Sequence, residues 1–92
     1  MKTVIISECH NWHGDKYIEF AEKGTGRLVA EVDRVNKKSH GFDGYRIFAD
    51  GIYRDRRSKK DSAVKLAMTL VRAIFTEPVE FKLNVVTYRQ RP

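Results

Sequence analysis

The chain has 92 residues, of which 41% are hydrophobic and 33% are charged, a balance that excludes intrinsic disorder and predicts one folded domain over 1–92. Its 18 lysines and arginines against 12 acidic residues give a net charge of +6, which favours an acidic partner. Nucleic acid, an anionic membrane and an acidic protein surface all fit this charge. Cys9 is the only cysteine, and neither a signal peptide nor an apolar run of membrane-spanning length is evident, so a cytoplasmic location is expected.

Alternating β-branched and aromatic residues, separated by turn residues, predict strands in both halves of the chain. In chain order the predicted strands cover 3–7, 16–22, 27–35, 45–49, 52–54 and 79–88. The glycines at 24 and 26 and the Asp50-Gly51 pair favour hairpin turns, because these residue types adopt positive φ at low cost. Strand alternation also predicts that Leu28 and Leu83 point inwards.

The clearest helix runs from Ser58 to Phe75, directly after a basic segment. Its apolar residues cover most of the circumference, so the helix should lie across a sheet, with Leu70 at the centre of the contact. Ser58 and Asp61 resemble a capping box with Asp in place of Glu. These elements predict an α+β fold in which one long helix packs on one face of an antiparallel sheet of about four to five strands.

Two basic segments are the candidate binding surface. Cations at the N-terminal end of a helix oppose its macrodipole and gain nothing locally, which favours an anionic partner over a merely solvated surface. Neighbouring aromatic rings suit stacking on unpaired bases, although burial in the core is the commoner role of any single ring. Whether the two segments lie on the same side is not decided by the sequence. The predicted binding residues are Arg54, Arg56, Arg57, Lys59, Lys60, Lys37, Lys38 and Arg46.

Neither a metal site nor a catalytic site is predicted. One cluster in the polar loop over 8–15 has metal-ligand character, but no second ligand pair with zinc spacing accompanies it. The favoured interpretation is a polar loop in which Trp12 is anchored on the sheet. No nucleophile, acid–base pair or phosphate loop is complete, so we expect a non-enzymatic protein without catalytic residues, cofactor or small-molecule substrate. The cluster consists of Cys9, His10, His13 and Asp15.

In layout, the chain resembles the small phage-encoded anti-CRISPR proteins of type I-F. It shares a short strand-rich domain, one helix and basic segments at Lys37-Lys38 and 54–60. The resemblance implies a non-enzymatic inhibitor that binds the CRISPR RNA-guided surveillance complex and blocks binding of target DNA. Many proteins of this group are acidic DNA mimics, whereas the basic charge of this chain favours contact with guide RNA or with acidic surfaces of protein subunits.

Two alternative functions stay open. One is a small basic phage protein that binds nucleic acid or modulates transcription. The other is a structural component of a phage particle, or a homo-oligomer built through a sheet edge. Binding to naked nucleic acid with steep salt dependence would support the first alternative. Self-association without nucleic acid would support the second.

Overall fold

The computed structural model describes residues 1–10, 15–84 and 87–88, the last pair by backbone alone. The fold is α+β, with a mostly antiparallel sheet of six main strands and one two-residue strand, and with a 15-residue helix against one face, which confirms the predicted class. The sheet has more strands than the four to five expected. The strands are β1 (Lys2–His10), β2 (Lys16–Glu22), β3 (Leu28–Val35), β4 (Gly44–Ala49), β5 (Ile52–Arg57), β6 (Val79–Leu83) and the short β7 (Thr87–Tyr88); the helices are α1 (Lys37–His40) and α2 (Lys60–Ile74).

The strand order across the sheet is β5-β4-β3-β2-β1-β6. Strands β1 to β5 pair as successive antiparallel neighbours, whereas β6 pairs in parallel with β1. This parallel pair follows from the connection: β5 runs in the direction of β1, α2 returns the chain over the sheet, and β6 must then run alongside β1. The predicted final strand over 79–88 is divided into β6 and β7, and β7 also pairs in parallel with β1.

Two hairpins join neighbouring strands, as predicted. In the β4–β5 hairpin, Asp50 and Gly51 have φ of 53° and 78°, the left-handed pair that a two-residue type I′ turn requires. The β2–β3 hairpin contains a β-bulge, because Phe20 pairs with Ala30 whereas Ala21 pairs with Leu28. The bulge reverses the alternation, so that Leu28 is 46% exposed. The prediction that Leu28 points inwards is therefore wrong.

Helix α2 meets the sheet through small residues. Its buried side chains are Ala63, Ala67 and Val71, four residues apart, so the helix axis comes close to β3 and β4. Leu70 is only half-buried on the flank of this line, and the prediction that it sits at the centre is wrong. Leu83 lies opposite Ile6, on the same face of β6 as Phe81, as predicted. It is nevertheless 85% exposed, because β6 forms the sheet edge away from the strands that α2 covers.

The start of α2 differs from the prediction as well. Its N-cap is Lys59, which makes no side-chain capping bond, so the expected capping box of Ser58 and Asp61 is not formed. Because Arg57 pairs with Tyr45, the chain stays extended in β5 up to Arg57, and the helix begins only at Lys60. In the part of the chain that the structure describes, no helix has the length and apolar character needed to cross a membrane.

An ion pair at the start of β1 makes folding sensitive to acid. Lys2 Nζ lies 2.7 Å from Glu22 Oε2, and Thr25 Oγ1 donates a hydrogen bond to Glu22 Oε1. The Lys2 ammonium and then the Thr25 hydroxyl hold the pKa of Glu22 below its ordinary value of 4.5. Because a depressed carboxyl pKa stabilises the fold only while the carboxyl is ionised, this stabilisation is present above pH 4.5 and is lost as pH falls through the folded-state pKa.

Glu22→Gln should therefore reduce the loss of stability on acidification. Denaturation midpoints at about pH 7 and about pH 3 should differ less for Glu22→Gln than for the parent protein. The variant keeps a residual pH dependence, because contacts with Arg57 and with the N-terminal amine also depress the pKa values of Asp55 and Glu77. An identical pH dependence in the two proteins would show that the Lys2–Glu22 pair does not contribute.

Candidate nucleic-acid interface

The sheet topology brings the two basic segments to the same place. The end of β3, the start of β4 and the end of β5 lie side by side, since Val35 pairs with Gly44 and Tyr45 pairs with Arg57. Helix α1 links β3 to β4 here, and α2 begins just beyond β5. We call this region the basic corner; it contains the predicted residues Lys37, Lys38, Arg46, Arg54, Arg56, Arg57, Lys59 and Lys60.

The first basic segment, at Lys37 and Lys38, forms the short helix α1. The Asn36 side chain accepts a hydrogen bond of 2.9 Å from the Ser39 N–H and caps α1, and Gly41 ends it with φ of 81°. The Asp43 carboxylate accepts a further bond from the Lys37 N–H at 2.7 Å. The backbone of α1 is therefore held in place while the side chains of Lys37 and Lys38 stay exposed. The Asn36 and Gly41 cap signals in the sequence could have predicted this turn.

The second basic segment is the outer strand of the sheet. Strand β5 continues to Arg57, beyond the predicted end at Arg54, and one of its edges is unpaired within the described sheet. Register places Arg56 opposite Arg46, on the face of the sheet away from α2, which we call the open face. Arg57 lies opposite Tyr45 on the helix-covered face. Arg54 is the extra residue of a bulge in β5.

Two cations of the basic corner are paired with carboxylates. Arg57 Nη1 lies 2.5 Å from Asp55 Oδ2, and Lys60 pairs with Glu8 of β1. The Arg57 guanidinium, and then the Arg56 N–H, hold the pKa of Asp55 below its usual range. The other cations form no ion pair with another described residue: Lys37, Lys38, Arg46, Arg54, Arg56 and Lys59. Their charge is available to an external anion.

Aromatic rings lie among these cations. The Arg56 guanidinium carbon is 4.7 Å from the centroid of the Phe42 ring, and that of Arg46 is 5.3 Å from the Phe48 ring. Tyr53 of β5 is 50% exposed, with its ring 5.7 Å from Phe48. Ile47 is fully buried, and because successive residues of a strand face opposite sides, Phe48 lies on the open face.

Sequence reasoning missed the role of Phe42. This ring stands in a loop between glycines, outside any alternating pattern, and its contact with Arg56 joins residues from separate elements. No local signal in the sequence could have revealed this contact, because it depends on how β5 pairs with β4.

At Gly44, the backbones of β4 and β5 approach each other closely. A Cβ added at Gly44 would lie 2.6 Å from the Arg57 carbonyl oxygen and 3.2 Å from the Ser58 Cα. Gly44→Ala should therefore separate β4 from β5 and destabilise the fold by about 1–3 kcal/mol, the usual cost of overpacking. Denaturation would measure the loss, with Gly24→Ala as a control at a left-handed glycine that has no neighbour within 4 Å. A loss no larger than that of the control would contradict the close approach.

The possible ligand cluster of the 8–15 segment is only partly described. Strand β1 extends to His10, so the expected loop does not include the first residues of this segment. Cys9 is buried and His10 points to the opposite face, as alternation requires. Trp12 and His13 lie outside the described residues. Within 1–10, 15–84 and 87–88, no group of three or more histidine, cysteine or acidic residues is placed to hold a metal ion.

No protein-family model, curated protein or solved structure matches the chain in comparisons with known proteins. The function is therefore argued from the chemistry of the basic corner. Its distinguishing features are clustered cations without ion pairs among the described residues, and aromatic rings packed beneath two of them.

Proposed function

We propose that this protein is a non-enzymatic binding protein whose basic corner contacts the phosphate backbone of a nucleic acid. In the setting that its layout suggests, it is an anti-CRISPR-like inhibitor that binds a CRISPR RNA-guided surveillance complex and blocks binding of target DNA. One observation carries the proposal: cations from separate segments lie together at one corner without carboxylate partners among the described residues.

Phosphate is the anion that suits this surface best. Phosphates repeat along a nucleic-acid strand, so a cluster of cations distributed over α1, β4 and β5 can neutralise several of them together. Arginine predominates on β5 and offers planar sets of donors that match phosphate oxygens.

The rigidity of the basic corner favours affinity. Arg54 and Arg56 lie on a strand that is hydrogen-bonded to β4, and Lys37 and Lys38 lie on a capped helical turn. A side chain whose backbone is already held loses less conformational entropy on binding than one on a free tail. The held backbone of these residues favours a binding surface over a merely solvated one.

The exposed edge of β5 also bears on the homo-oligomer alternative. Several arginines and a bulge occupy this edge, and both features oppose pairing with the same strand of a second copy. Like charges would face each other across such an interface. The described β5 edge therefore favours an anionic partner over self-association.

Affinity capture of the tagged protein from cells that contain a type I-F surveillance complex would test the proposal. We expect capture of the complex, with capture weakened by added salt because phosphate contacts are screened. Nuclease treatment of the lysate distinguishes an inhibitor of the surveillance complex from a general nucleic-acid-binding protein. Capture of free RNA or DNA that nuclease removes, without capture of the complex, would support the general nucleic-acid-binding protein. Capture of neither, together with no salt-dependent binding of purified RNA, would contradict the proposed function.

A further inference from the structure

The open face of β4 and β5 carries a mixed aromatic and guanidinium surface, which we call the stacking platform. It consists of Phe42, Arg46, Phe48, Tyr53 and Arg56. We propose that this platform binds unpaired bases, so that the nucleic acid recognised by this protein is single-stranded. This inference rests on the proposed function and specifies its ligand.

The platform consists of two adjacent groups of aromatic rings and guanidinium planes. The Tyr53 and Phe48 rings meet at an interplanar angle of 66°, and the Arg46 guanidinium covers Phe48. On the neighbouring row, Arg56 covers Phe42 and lies opposite Arg46. Tyr53 thus packs against Phe48 and remains half exposed to solvent.

An exposed aromatic ring beside cations is well suited to an unpaired nucleotide. A base can stack on the face of Tyr53, and stacking tolerates every base because each has a π-face. Arg56 is exposed and uses its planar face on the Phe42 ring, so the donors at its rim stay available for phosphate oxygens. Arg54, at the bulge between Tyr53 and Asp55, adds a cation along the same edge.

A duplex fits this surface less well. Its bases are stacked on each other and cannot reach Tyr53, so a duplex would use the cations alone. A single strand, whose bases are free to turn, can follow the β5 edge and place a base on Tyr53.

Fluorescence anisotropy with short labelled oligonucleotides would test the platform. The probes are an unstructured oligouridine RNA, an oligothymidine DNA and a duplex RNA of equal length, all at one salt concentration. We expect both single strands to bind more tightly than the duplex. The ratio between oligouridine and oligothymidine shows whether RNA or DNA is the preferred strand, and either preference is consistent with stacking.

Variants at Tyr53 separate stacking from charge. Tyr53→Ser should weaken single-strand binding roughly 5- to 100-fold, the range expected from loss of one base–aromatic stack, and should leave duplex binding unchanged. Tyr53→Phe keeps the ring and should bind as the parent protein does. Circular dichroism checks that the serine variant is folded. If it is not folded, the difference in affinity between single strands and duplex, measured for the parent protein and for Tyr53→Phe, still tests the proposal.

The outcomes distinguish this inference from the proposed function. Equal affinity for single strands and duplex, with no effect of Tyr53→Ser, would overturn the platform but leave phosphate binding by the basic corner intact. Absence of binding to every probe even at low salt would overturn both. A loss of binding in Tyr53→Phe equal to that in Tyr53→Ser would show that the hydroxyl, rather than the ring, makes the contact, and would also overturn stacking.

Discussion

Phe20→Ala is expected to lower the free energy of unfolding by about 3–5 kcal/mol, the usual cost of removing a buried aromatic side chain. Phe20 is fully buried, at 0% exposure, on a central strand of the sheet. Its ring meets the edge of Phe81 at a centroid distance of 6.2 Å, so the substitution would open a cavity between β2 and β6. Chemical denaturation of the parent and variant proteins measures the difference.

Leu83→Ala is a suitable control for Phe20→Ala. It removes a large apolar side chain from β6. Because this side chain is 85% exposed, little of its apolar surface is buried in the folded protein. We expect a change within about 0.5 kcal/mol, as for most surface substitutions. A comparable loss of stability in the two variants would show that Phe20 is not a core residue.

Reversing the charge of Arg54, Arg56 and Lys59 to Glu should abolish partner binding. These side chains are exposed and form no ion pair with another described residue, so the fold should be retained. Each variant glutamate repels a phosphate that the parent cation attracts. If each parent cation contacts a phosphate of a single strand, the slope of log affinity against log salt should also fall by about 2. Binding titrations at several salt concentrations measure both effects.

The structure makes this triple variant more informative than one that includes Arg57 or Lys60. Those residues pair with Asp55 and Glu8, so reversing them would place like charges in contact and disturb the fold. A matched control reverses Lys23, Lys65 and Arg72, which are exposed cations outside the basic corner and form no ion pair with another described residue. The control has the same net charge and should bind like the parent protein.

In cells, the triple variant should also restore interference against a phage target if the protein inhibits a surveillance complex. The control variant should keep inhibiting. Equal binding and inhibition by the triple variant and the parent would show that the basic corner is only a solvated surface. The binding site would then have to be sought on another face of the protein.

The strands and the main helix were predictable because their signals are local. The β2 strand was predicted with the bounds that the structure has, and Asp50-Gly51 forms the expected turn. Alternation along a strand and helical spacing along α2 both arise from backbone geometry over a few residues. The same local logic misplaced Leu28, because a bulge depends on how two strands pair and leaves no clear local signal.

The candidate site was predictable in its residues but not in its arrangement. The sequence by itself determined which side chains are cationic, that Ile47 and Phe48 must face opposite sides, and that a helix follows the basic segment. Only the tertiary structure decided that α1 and the end of β5 meet at one corner, which cations Asp55 and Glu8 neutralise, and that Phe42 lies under Arg56. These features depend on strand order and register, and long-range pairing of this kind is set by the packing of the whole sheet rather than by any short stretch of chain.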